Sequence, residues 1–378
     1  MKQRFYTSRD QGLQNAYGAW ARALPTNQIV AIALPDLAHT MAAFFGCAHV
    51  GRIACIAACD LDDRFTVLRD ILPPRDAVNP LGEAAPFITF TSGSTNKPKA
   101  ILRDADSWIY SFERNGVHVN DTVAVIGNLA HSLPHYAACE AMHIGAKLVF
   151  CPKRLTAEPT VVYATPTQLR MQVTRFESAR MVMVGGGHFT AQDRAHATRV
   201  FPNADVRVFY GTAETSFVAI ADHNTPDGSV GRAYDGVKAR VMDGNVSVQT
   251  PMMAHRYLDK VKGFEHGVPF ETGEQGWIDP KGNLFLNGRA DRRVTIADQS
   301  IHLDAIEADL MAIPDVTTAG VVALPDDKRG LRAFGAVIGA DASHPLLGGV
   351  IMLKNWPVLI SGKTDYGKLR TLLAEAFL

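Results

Sequence analysis

The chain lacks several features that would mark a specialised class of protein. Its 38 Lys and Arg residues balance its 38 Asp and Glu residues, so it carries no formal net charge. A chain without net charge has no overall positive potential to attract nucleic acid or anionic membranes, although a local basic patch could still attract them. No apolar run is long enough to span a bilayer, and no signal-peptide core follows Met1. We therefore expect neither a nucleic-acid partner nor a membrane partner.

Cysteine is also scarce in this sequence. The five cysteines show no paired spacing of the kind that holds a metal. An odd number of cysteines in a chain of 378 residues is typical of reduced, mostly buried thiols. We therefore predict a cytoplasmic protein, and the length favours two domains of unequal size.

Short β-branched runs alternate with helical patterns over the first 210 residues. This alternation predicts an α/β fold with mostly parallel sheets, in which ligands gather beyond the carboxyl ends of the strands. The predicted strands are 29–34, 87–90, 123–126, 147–150, 161–164, 181–184 and 206–209. The predicted helices are 37–50, 135–144, 166–176 and 191–200.

The pattern changes after about residue 228. Turn residues such as Asp243-Gly244 separate short strands, which predicts hairpins or a small distorted β-barrel. The charges of Gly288–Asp291 indicate a domain boundary, and Asp304-Ala305-Ile306-Glu307 predicts a capping box that opens a helix. We expect a large N-terminal domain over 1–288 and a small α+β domain over 289–378.

A polar loop follows the apolar run 87–90. It reads Thr91-Ser92-Gly93-Ser94-Thr95-Asn96-Lys97-Pro98-Lys99. Backbone N–H groups and hydroxyls in such a loop can bind phosphate oxygens, and lysine supplies the opposite charge. The alternative is an ordinary polar loop with a turn at its end.

Two further clusters carry carboxylates. In Tyr210-Gly211-Thr212-Ala213-Glu214 the glycine permits close approach, and Glu214 could hold hydrated Mg²⁺ or could simply be solvated. In Thr272-Gly273-Glu274-Gln275-Gly276 the carboxylate could accept hydrogen bonds from ribose hydroxyls, and a plain turn is the alternative. Gly185-Gly186-Gly187 lacks the spacing of a dinucleotide fingerprint but can form a flat wall.

The last two clusters carry cations. Arg289, within Gly288–Asp291, offers a planar fork for phosphate, and a surface ion pair with Asp291 is the alternative. Lys363 lies in Gly362-Lys363-Thr364, which looks like the end of a Walker A loop. Pro357 occupies the position where that loop needs glycine, so Lys363 is not a P-loop lysine.

Together and in this order, the five clusters resemble the ANL superfamily of adenylate-forming enzymes, which includes acyl-CoA synthetases, carrier-loading adenylation domains and luciferases. The resemblance covers about residues 28–370. The motifs depart from the family pattern at Asn96, at Ala213 and at Glu274, which replaces aspartate. The run Asn128–His131 looks like the family motif that lines the acyl pocket.

The resemblance implies a large body, a hinge and a mobile C-terminal lid. It implies that a carboxylate attacks the α-phosphorus of ATP to give an acyl-adenylate and pyrophosphate, after which a thiol of CoA or of a carrier protein's phosphopantetheine takes the acyl group. A carrier would act in trans. The alternatives are an adenylate-forming amide ligase and a non-catalytic relative that binds a nucleotide or an acyl ligand.

The resemblance also implies roles for individual residues. The implied catalytic residues are Lys363, Thr212, Glu214 and His131, and Glu214 is also the Mg²⁺ ligand. The implied ATP and AMP contacts are Thr91, Ser92, Gly93, Ser94, Thr95, Lys99, Gly186, Gly187, Tyr210, Gly211, Thr212, Glu274 and Arg289. Asp291 is the implied hinge, and His131, His135 and Tyr136 are the implied acyl pocket.

Three departures from the family bear on these expectations. Only 90 residues precede the Thr91 loop, which predicts a compact variant that completes its surface as a homodimer. Glu274 adds one methylene to the ribose-binding carboxylate. Ala297 and Asp298 stand where the family usually has two glycines, so the passage for a pantetheine arm is narrowed. Adenylation is therefore a firmer expectation than thioester formation.

Overall fold

The computed structural model describes most of the chain. The described residues are 11–24, 29–34, 36–57, 87–90, 99–151, 154–155, 157–187, 189–258, 268–296, 299–326, 330–358 and 363–378. The predicted phosphate loop, except Lys99, lies outside them, as do Ala297 and Asp298 and the side chain of Asp291.

The N-terminal part of the body is a five-stranded sheet. Its strand order is β1-β2-β3-β4-β14, with β1 to β3 parallel and β4 antiparallel to β3. The strands are β1 (Val30–Ile32), β2 (Ala54–Ile56), β3 (Phe87–Phe90), β4 (Ala100–Arg103) and β14 (Arg256–Tyr257). Helices α1 (Gln11–Ala23) and α2 (Leu37–His49) accompany it. The side chain of Asp36 caps α2 by accepting a hydrogen bond from the N–H of His39 at 2.8 Å.

The second sheet has eleven strands and provides most of the body. Its order is β12-β13-β15-β16-β11-β10-β9-β8-β7-β5-β6. The parallel strands, β5 (Thr122–Ile126), β6 (Lys147–Cys151), β7 (Val161–Ala164), β8 (Met181–Gly185) and β9 (Asp205–Thr212), confirm the predicted α/β alternation. The helices here are α3 (Asp106–Phe112), α4 (Ser132–Ile144), α5 (Pro166–Arg170) and α6 (Ala191–Val200).

Antiparallel strands continue the same sheet beyond β9. They are β10 (Ser216–Ala221), β11 (Ser229–Ala233), β12 (Lys238–Met242), β13 (Asn245–Gln249), β15 (Phe270–Ile278) and β16 (Asn283–Arg289). The hairpin predicted at Asp243-Gly244 is confirmed. Both residues have positive φ, 51° and 78°, which suits the tight turn between β12 and β13.

Two predicted helices differ in length from the observed ones. Helix α4 begins at Ser132 rather than at 135, because Pro134 is compatible with the first turn of a helix. Helix α5 ends at Arg170 rather than at 176. The side-chain amide of Gln172 donates to the carbonyl of Gln168 at 2.8 Å, so it satisfies a carbonyl that a continuing helix would have used.

The C-terminal part is a small α+β unit with its own hydrophobic clusters. It contains a 3₁₀ turn (Ala290–Arg292), the hairpin β17 (Arg293–Ile296) and β18 (Gln299–His302), helix α7 (Leu303–Met311), the sheet β19 (Thr318–Asp326), β20 (Gly330–Ile338) and β21 (Leu347–Met352), and helix α8 (Tyr366–Phe377). This confirms a small C-terminal unit, and the proposed boundary at 288/289 falls at the end of β16.

The predicted capping box at Asp304 and Glu307 is wrong. The helix is present, but its N-cap is His302, whose side chain makes no capping hydrogen bond. Both carboxylates bind Arg292 instead, and Asp304 also accepts from the backbone N–H of Arg289 at 3.0 Å. The guanidinium of Arg292 has several donors in a fixed fork, so it can bind both carboxylates at once.

Candidate active site

A cavity of about 150 Å³ lies where the ends of β8 and β9 meet the start of α4 and the C-terminal unit. Its described lining comprises Phe90, Trp108, Asn128, His131, Ser132, Leu133, Pro134, Tyr136, Thr165, Gln168, Gly185, Gly186, Phe209, Gly211, Thr212, Ala213, Ser216, Phe217 and Lys363. Six residues to which the sequence assigned roles therefore border one space: His131, Tyr136, Gly186, Gly211, Thr212 and Lys363. This is the carboxyl edge of a parallel sheet, where ligands are expected to bind.

The turn after β9 presents Thr212 and Glu214. Gly211 is required there because a Cβ at that position would lie 1.9 Å from the carbonyl oxygen of Ser216. The Thr212 and Thr215 hydroxyls are 3.0 Å apart, and the Thr212 hydroxyl also accepts a hydrogen bond from the N–H of Thr215. The turn is therefore fixed from within, with Thr212 facing the cavity.

Arg103 braces the same turn from beneath. Its fully buried guanidinium donates to the carbonyl of Ala213 at 2.6 Å, to the hydroxyl of Ser216 at 2.7 Å and to the carbonyl of Met252 at 2.5 Å. Burial lowers the pKa of Arg103 to about 10, which still leaves it protonated at neutral pH. One cation thus joins three parts of the body.

Glu214 is buried beside the turn and has a defined partner. The hydroxyl of Tyr257 donates to Oε1 of Glu214 at 2.5 Å. The ammonium of Lys99 lies 5.2 Å from the centre of the Tyr257 ring, within the range of a cation–π contact. Tyr257 therefore connects the end of the Thr91 loop to the carboxylate that the sequence assigns to Mg²⁺.

Lys363 reaches this space from the C-terminal unit. A Cβ on Gly186 would lie 3.7 Å from Cε of Lys363, so the lysine stem passes close to the glycine, whose φ is +83°. The Lys363 side chain has a large solvent-accessible area, because it borders the cavity instead of packing against other side chains. Removal from bulk water and the positive charge of Arg289 lower the pKa of Lys363, while Glu214 and Glu274 oppose that shift.

Glu274 and Arg289 are cross-strand neighbours on β15 and β16. Burial raises the pKa of Tyr210, the negative charge of Glu274 adds to that shift, and Arg289 opposes it. The three residues therefore lie near one another, and Glu274 and Arg289 lie near Lys363, although none of the three lines the cavity itself. Gly187 is exposed and packs against Pro166.

The two histidines assigned to the acyl pocket occupy different environments. His131 and Tyr136 line the cavity, whereas His135 is packed edge-on against Phe44 at 4.6 Å and Trp108 at 5.2 Å between ring centres. Burial lowers the pKa of His135 to about 3, so its imidazole is neutral. His135 supports the cavity wall from behind and does not face the cavity.

The segment that carries Lys363 is anchored within the C-terminal unit. Tyr366 lies three residues beyond the lysine, and its hydroxyl donates to Glu307 at 2.8 Å. Arg292 binds Glu307 and Asp304, and its guanidinium lies 4.1 Å from the centre of the Tyr366 ring. Asp365 caps α8 by accepting from the N–H of Lys368 at 2.9 Å. The motif aspartate therefore fixes the helix that follows the lysine.

Sequence reasoning missed three residues that shape this site: Arg103, Tyr257 and Trp108. Arg103 acts on positions 110 or more residues away, so no local pattern could reveal it. A signal existed nevertheless, because an arginine inside the apolar run Ala100–Arg103 is an unusual occupant of a buried strand.

The residues present fit a magnesium ion that arrives with a nucleotide rather than a resident metal centre. Within the described ranges no group of three or more His, Cys, Asp or Glu side chains could enclose a metal. Mg²⁺ is commonly held by one or two carboxylates together with substrate phosphates, and Glu214 meets that requirement. None of the described helices has the length and apolar character needed to cross a bilayer.

Comparisons with known proteins agree with this geometry. VraA of Staphylococcus epidermidis, provisionally named a long chain fatty acid-CoA ligase, is 27% identical over 288 residues, which cover 70% of this chain and 61% of VraA. The acyl-CoA ligase YhfT of Bacillus subtilis, named as uncharacterised, is 27% identical over 351 residues, covering 81% of this chain and 71% of YhfT.

The fold is that of a solved structure with bound ATP. MatB from Rhodopseudomonas palustris matches with a TM-score of 0.80 at 18% identity, covering 97% of this chain and 93% of MatB. The sequence profile described as "AMP-binding enzyme" matches residues 57–252, just over half of the chain. The chain therefore belongs to the family of AMP-binding enzymes.

Proposed function

We propose that this protein activates a carboxylic acid with ATP, forming an acyl-adenylate and pyrophosphate, and then passes the acyl group to a thiol. The observation that supports this most strongly is the position of Lys363. Its side chain enters from the C-terminal unit and shares one cavity with Thr212 and Gly186 of the body. A module that only binds a ligand does not require a cation at this place.

In the first step, an oxygen of the carboxylate attacks the α-phosphorus. A P–O bond forms to the acid, and the bond to the bridging oxygen breaks, so that pyrophosphate leaves with the electron pair. Lys363 would offset the negative charge that accumulates between the carboxylate and the α-phosphate. The Thr212 hydroxyl would donate to the α-phosphate, and the fixed turn around it would hold both reactants in line.

The nucleotide would be held by residues around the cavity. Tyr210 and Gly186 would border the adenine, while Glu274 and Arg289 would contact the ribose. Thr91 to Thr95 and Lys99 would bind the outer phosphates. Mg²⁺ would be held by Glu214 and would neutralise charge between the phosphates.

In the second step, the sulfur of a thiol attacks the acyl carbon. A C–S bond forms, the C–O bond to AMP breaks, and the thiol proton passes to solvent. The thiol belongs to CoA or to the phosphopantetheine of a separate carrier protein. We further propose that the unit 289–378 is a lid that turns about Asp291 between the steps, that the protein acts in the cytoplasm, and that a homodimer completes its surface.

The test is pyrophosphate exchange into ATP with a panel of carboxylic acids, followed by addition of CoA, a phosphopantetheinylated carrier or an amine. We expect acid-dependent exchange and thioester formation with one of the thiols. Exchange without thioester, together with amide formation, would favour an amide ligase instead. If no acid supports pyrophosphate exchange, the protein is a module that binds its ligand without catalysis.

A further inference from the structure

The cavity divides into a polar end and an aromatic end. Lys363 and Thr212 lie at the polar end, where the proposed reaction takes place. Trp108, Tyr136 and Phe217 form the aromatic end, and none of the three is more than 4% exposed. An acid whose carboxylate meets Lys363 must therefore place its acyl group against these rings.

The aromatic end is small. The whole cavity has a volume of about 150 Å³, and its polar end occupies part of that volume. An engineered protein cavity of about the same volume holds one benzene molecule. The space beyond the carboxylate is therefore limited to at most a single six-membered ring or an alkyl chain of similar bulk, and it is too small for a fused ring system or a long chain.

The floor of the cavity is held by hydrogen bonds. The Tyr136 hydroxyl is 2.7 Å from the hydroxyl of Ser111 and accepts from the amide of Asn115 at 2.8 Å. The Asn115 amide also donates to Glu140 at 2.7 Å, and Glu140 bonds to the hydroxyl of Tyr163. Swinging Tyr136 aside to lengthen the cavity would break two buried hydrogen bonds, one with Ser111 and one with Asn115, so the floor does not open easily.

The walls favour an uncharged ring. Phe209 and Phe217 meet edge to face with ring centres 4.7 Å apart, and Tyr136 meets Phe217 in the same way at 5.2 Å. A ligand ring can join such a cluster through the same edge-to-face contacts. Apart from Lys363, the described lining contains no Lys, Arg, Asp or Glu, so a second carboxylate would be buried there with only the imidazole of His131 as a partner that can carry a positive charge.

We infer that the acid is a compact monocarboxylic acid whose acyl group is no larger than one uncharged benzene-type ring, and that Tyr136 sets the size limit. This inference rests on the proposed function for the identity of the carboxylate end. It predicts that benzoate-sized acids are substrates and that fused-ring, long-chain and dicarboxylic acids are not.

The test compares benzoate with three matched probes in the ATP–pyrophosphate exchange assay. Terephthalate adds a charge to the same ring, 2-naphthoate adds a second ring, and dodecanoate adds length. We expect kcat/KM for each probe to be about 100-fold below that for benzoate, because an acyl group that is too large for the aromatic end and a poorly paired buried charge both lower kcat/KM. Equal turnover of dodecanoate, 2-naphthoate or terephthalate would overturn the inference.

Calorimetry with a non-hydrolysable ATP analogue separates this inference from the proposed function. Selective binding of benzoate without exchange would uphold the size limit while removing the proposed reaction. Binding of the larger probes, or of none of the four acids, would overturn the inference.

Two variants test the role of Tyr136. In Tyr136→Ala we expect the preference for benzoate over 2-naphthoate to fall by about 10-fold or more, because the floor is removed. Tyr136→Phe keeps the ring and should keep that preference. If Tyr136→Ala does not fold, the four-acid comparison on the unaltered protein still decides the matter. An unchanged preference in a folded Tyr136→Ala variant would show that Tyr136 does not set the size limit.

Discussion

The two ends of the cavity are built in opposite ways. The aromatic end comes entirely from the body, and its side chains are buried among one another and held by internal hydrogen bonds. The polar end combines a braced turn of the body with one lysine from the C-terminal unit, and that lysine borders open space. The fixed end is suited to selecting the acid, and the divided end is suited to a step that must be assembled and then taken apart.

The largest effect should come from breaking the polar end alone. Replacing Lys363 with alanine should lower the rate of adenylation about 100- to 1,000-fold, or ~3–4 kcal/mol, because a preorganised cation at the reacting phosphorus is lost. ATP affinity should stay nearly unchanged, since the body keeps its nucleotide contacts. Pyrophosphate exchange and calorimetric ATP binding measure the two quantities. Lys354→Ala, an exposed change in the same unit, serves as the control.

Loss of the Arg103 hydrogen bonds beneath the polar end should mainly lower the stability of the fold. Replacing Arg103 with methionine removes the donor shared by Ala213, Ser216 and Met252, so we expect the free energy of unfolding to fall by about 3 kcal/mol. Urea unfolding measures it. The matched control is Arg175→Met, whose exposed ion pair with Glu177 is worth at most about 1 kcal/mol. Similar losses in both variants would contradict a bracing role for Arg103.

A smaller effect should follow from releasing Glu214. Tyr257→Phe removes the hydroxyl that orients the carboxylate, so the Mg²⁺ concentration for half-maximal exchange should rise about 10-fold. The control is Tyr17→Phe, which removes a hydroxyl that bonds to His39 at 2.9 Å in a distant, exposed place. The same Mg²⁺ requirement in both variants would remove Tyr257 from the metal site.

The smallest effect should be a shift in pH dependence. Removal from bulk water and the neighbouring Arg289 lower the pKa of Lys363, and the proposed reaction needs its protonated form. As pH rises through this lowered pKa the ammonium loses its proton, so kcat/KM should fall at a pH below the ordinary titration of lysine. Arg289→Gln should move this alkaline limb to higher pH. A limb that stays in place in that variant would argue that another group titrates.

The sequence was sufficient where local patterns decide the structure. Strands 87–90 and 161–164 and helix 191–200 have their predicted bounds, because apolar runs and end signals lie within each segment. It failed where a distant partner intervenes. Asp304 and Glu307 have the spacing of a capping box, but Arg292 takes both carboxylates.

The candidate site shows the same contrast between features set by local sequence and features set by distant partners. The resemblance assigns His131 and His135 to one pocket, yet His131 lines the cavity as the N-cap of α4, whereas His135 lies within the helix and packs against Phe44 and Trp108. Lys363 could be placed only through its resemblance to a family motif, since the contact with Gly186 joins positions 177 residues apart (363 − 186). The roles of Arg103 and Tyr257 likewise depend on tertiary packing that no short pattern encodes.

The anchoring of Tyr366 has a consequence for how the enzyme could disengage. Tyr366 is tied to Glu307 on α7, and Glu307 is tied to Arg292 beside the last strand of the body. The lysine segment is thus coupled to the residues from which any rotation would start. Withdrawing the ammonium by itself would break this chain of contacts, whereas turning the whole C-terminal unit would preserve it. We therefore expect the adenylate to be released when the whole C-terminal unit turns, without an intermediate in which only the segment carrying Lys363 has left the cavity.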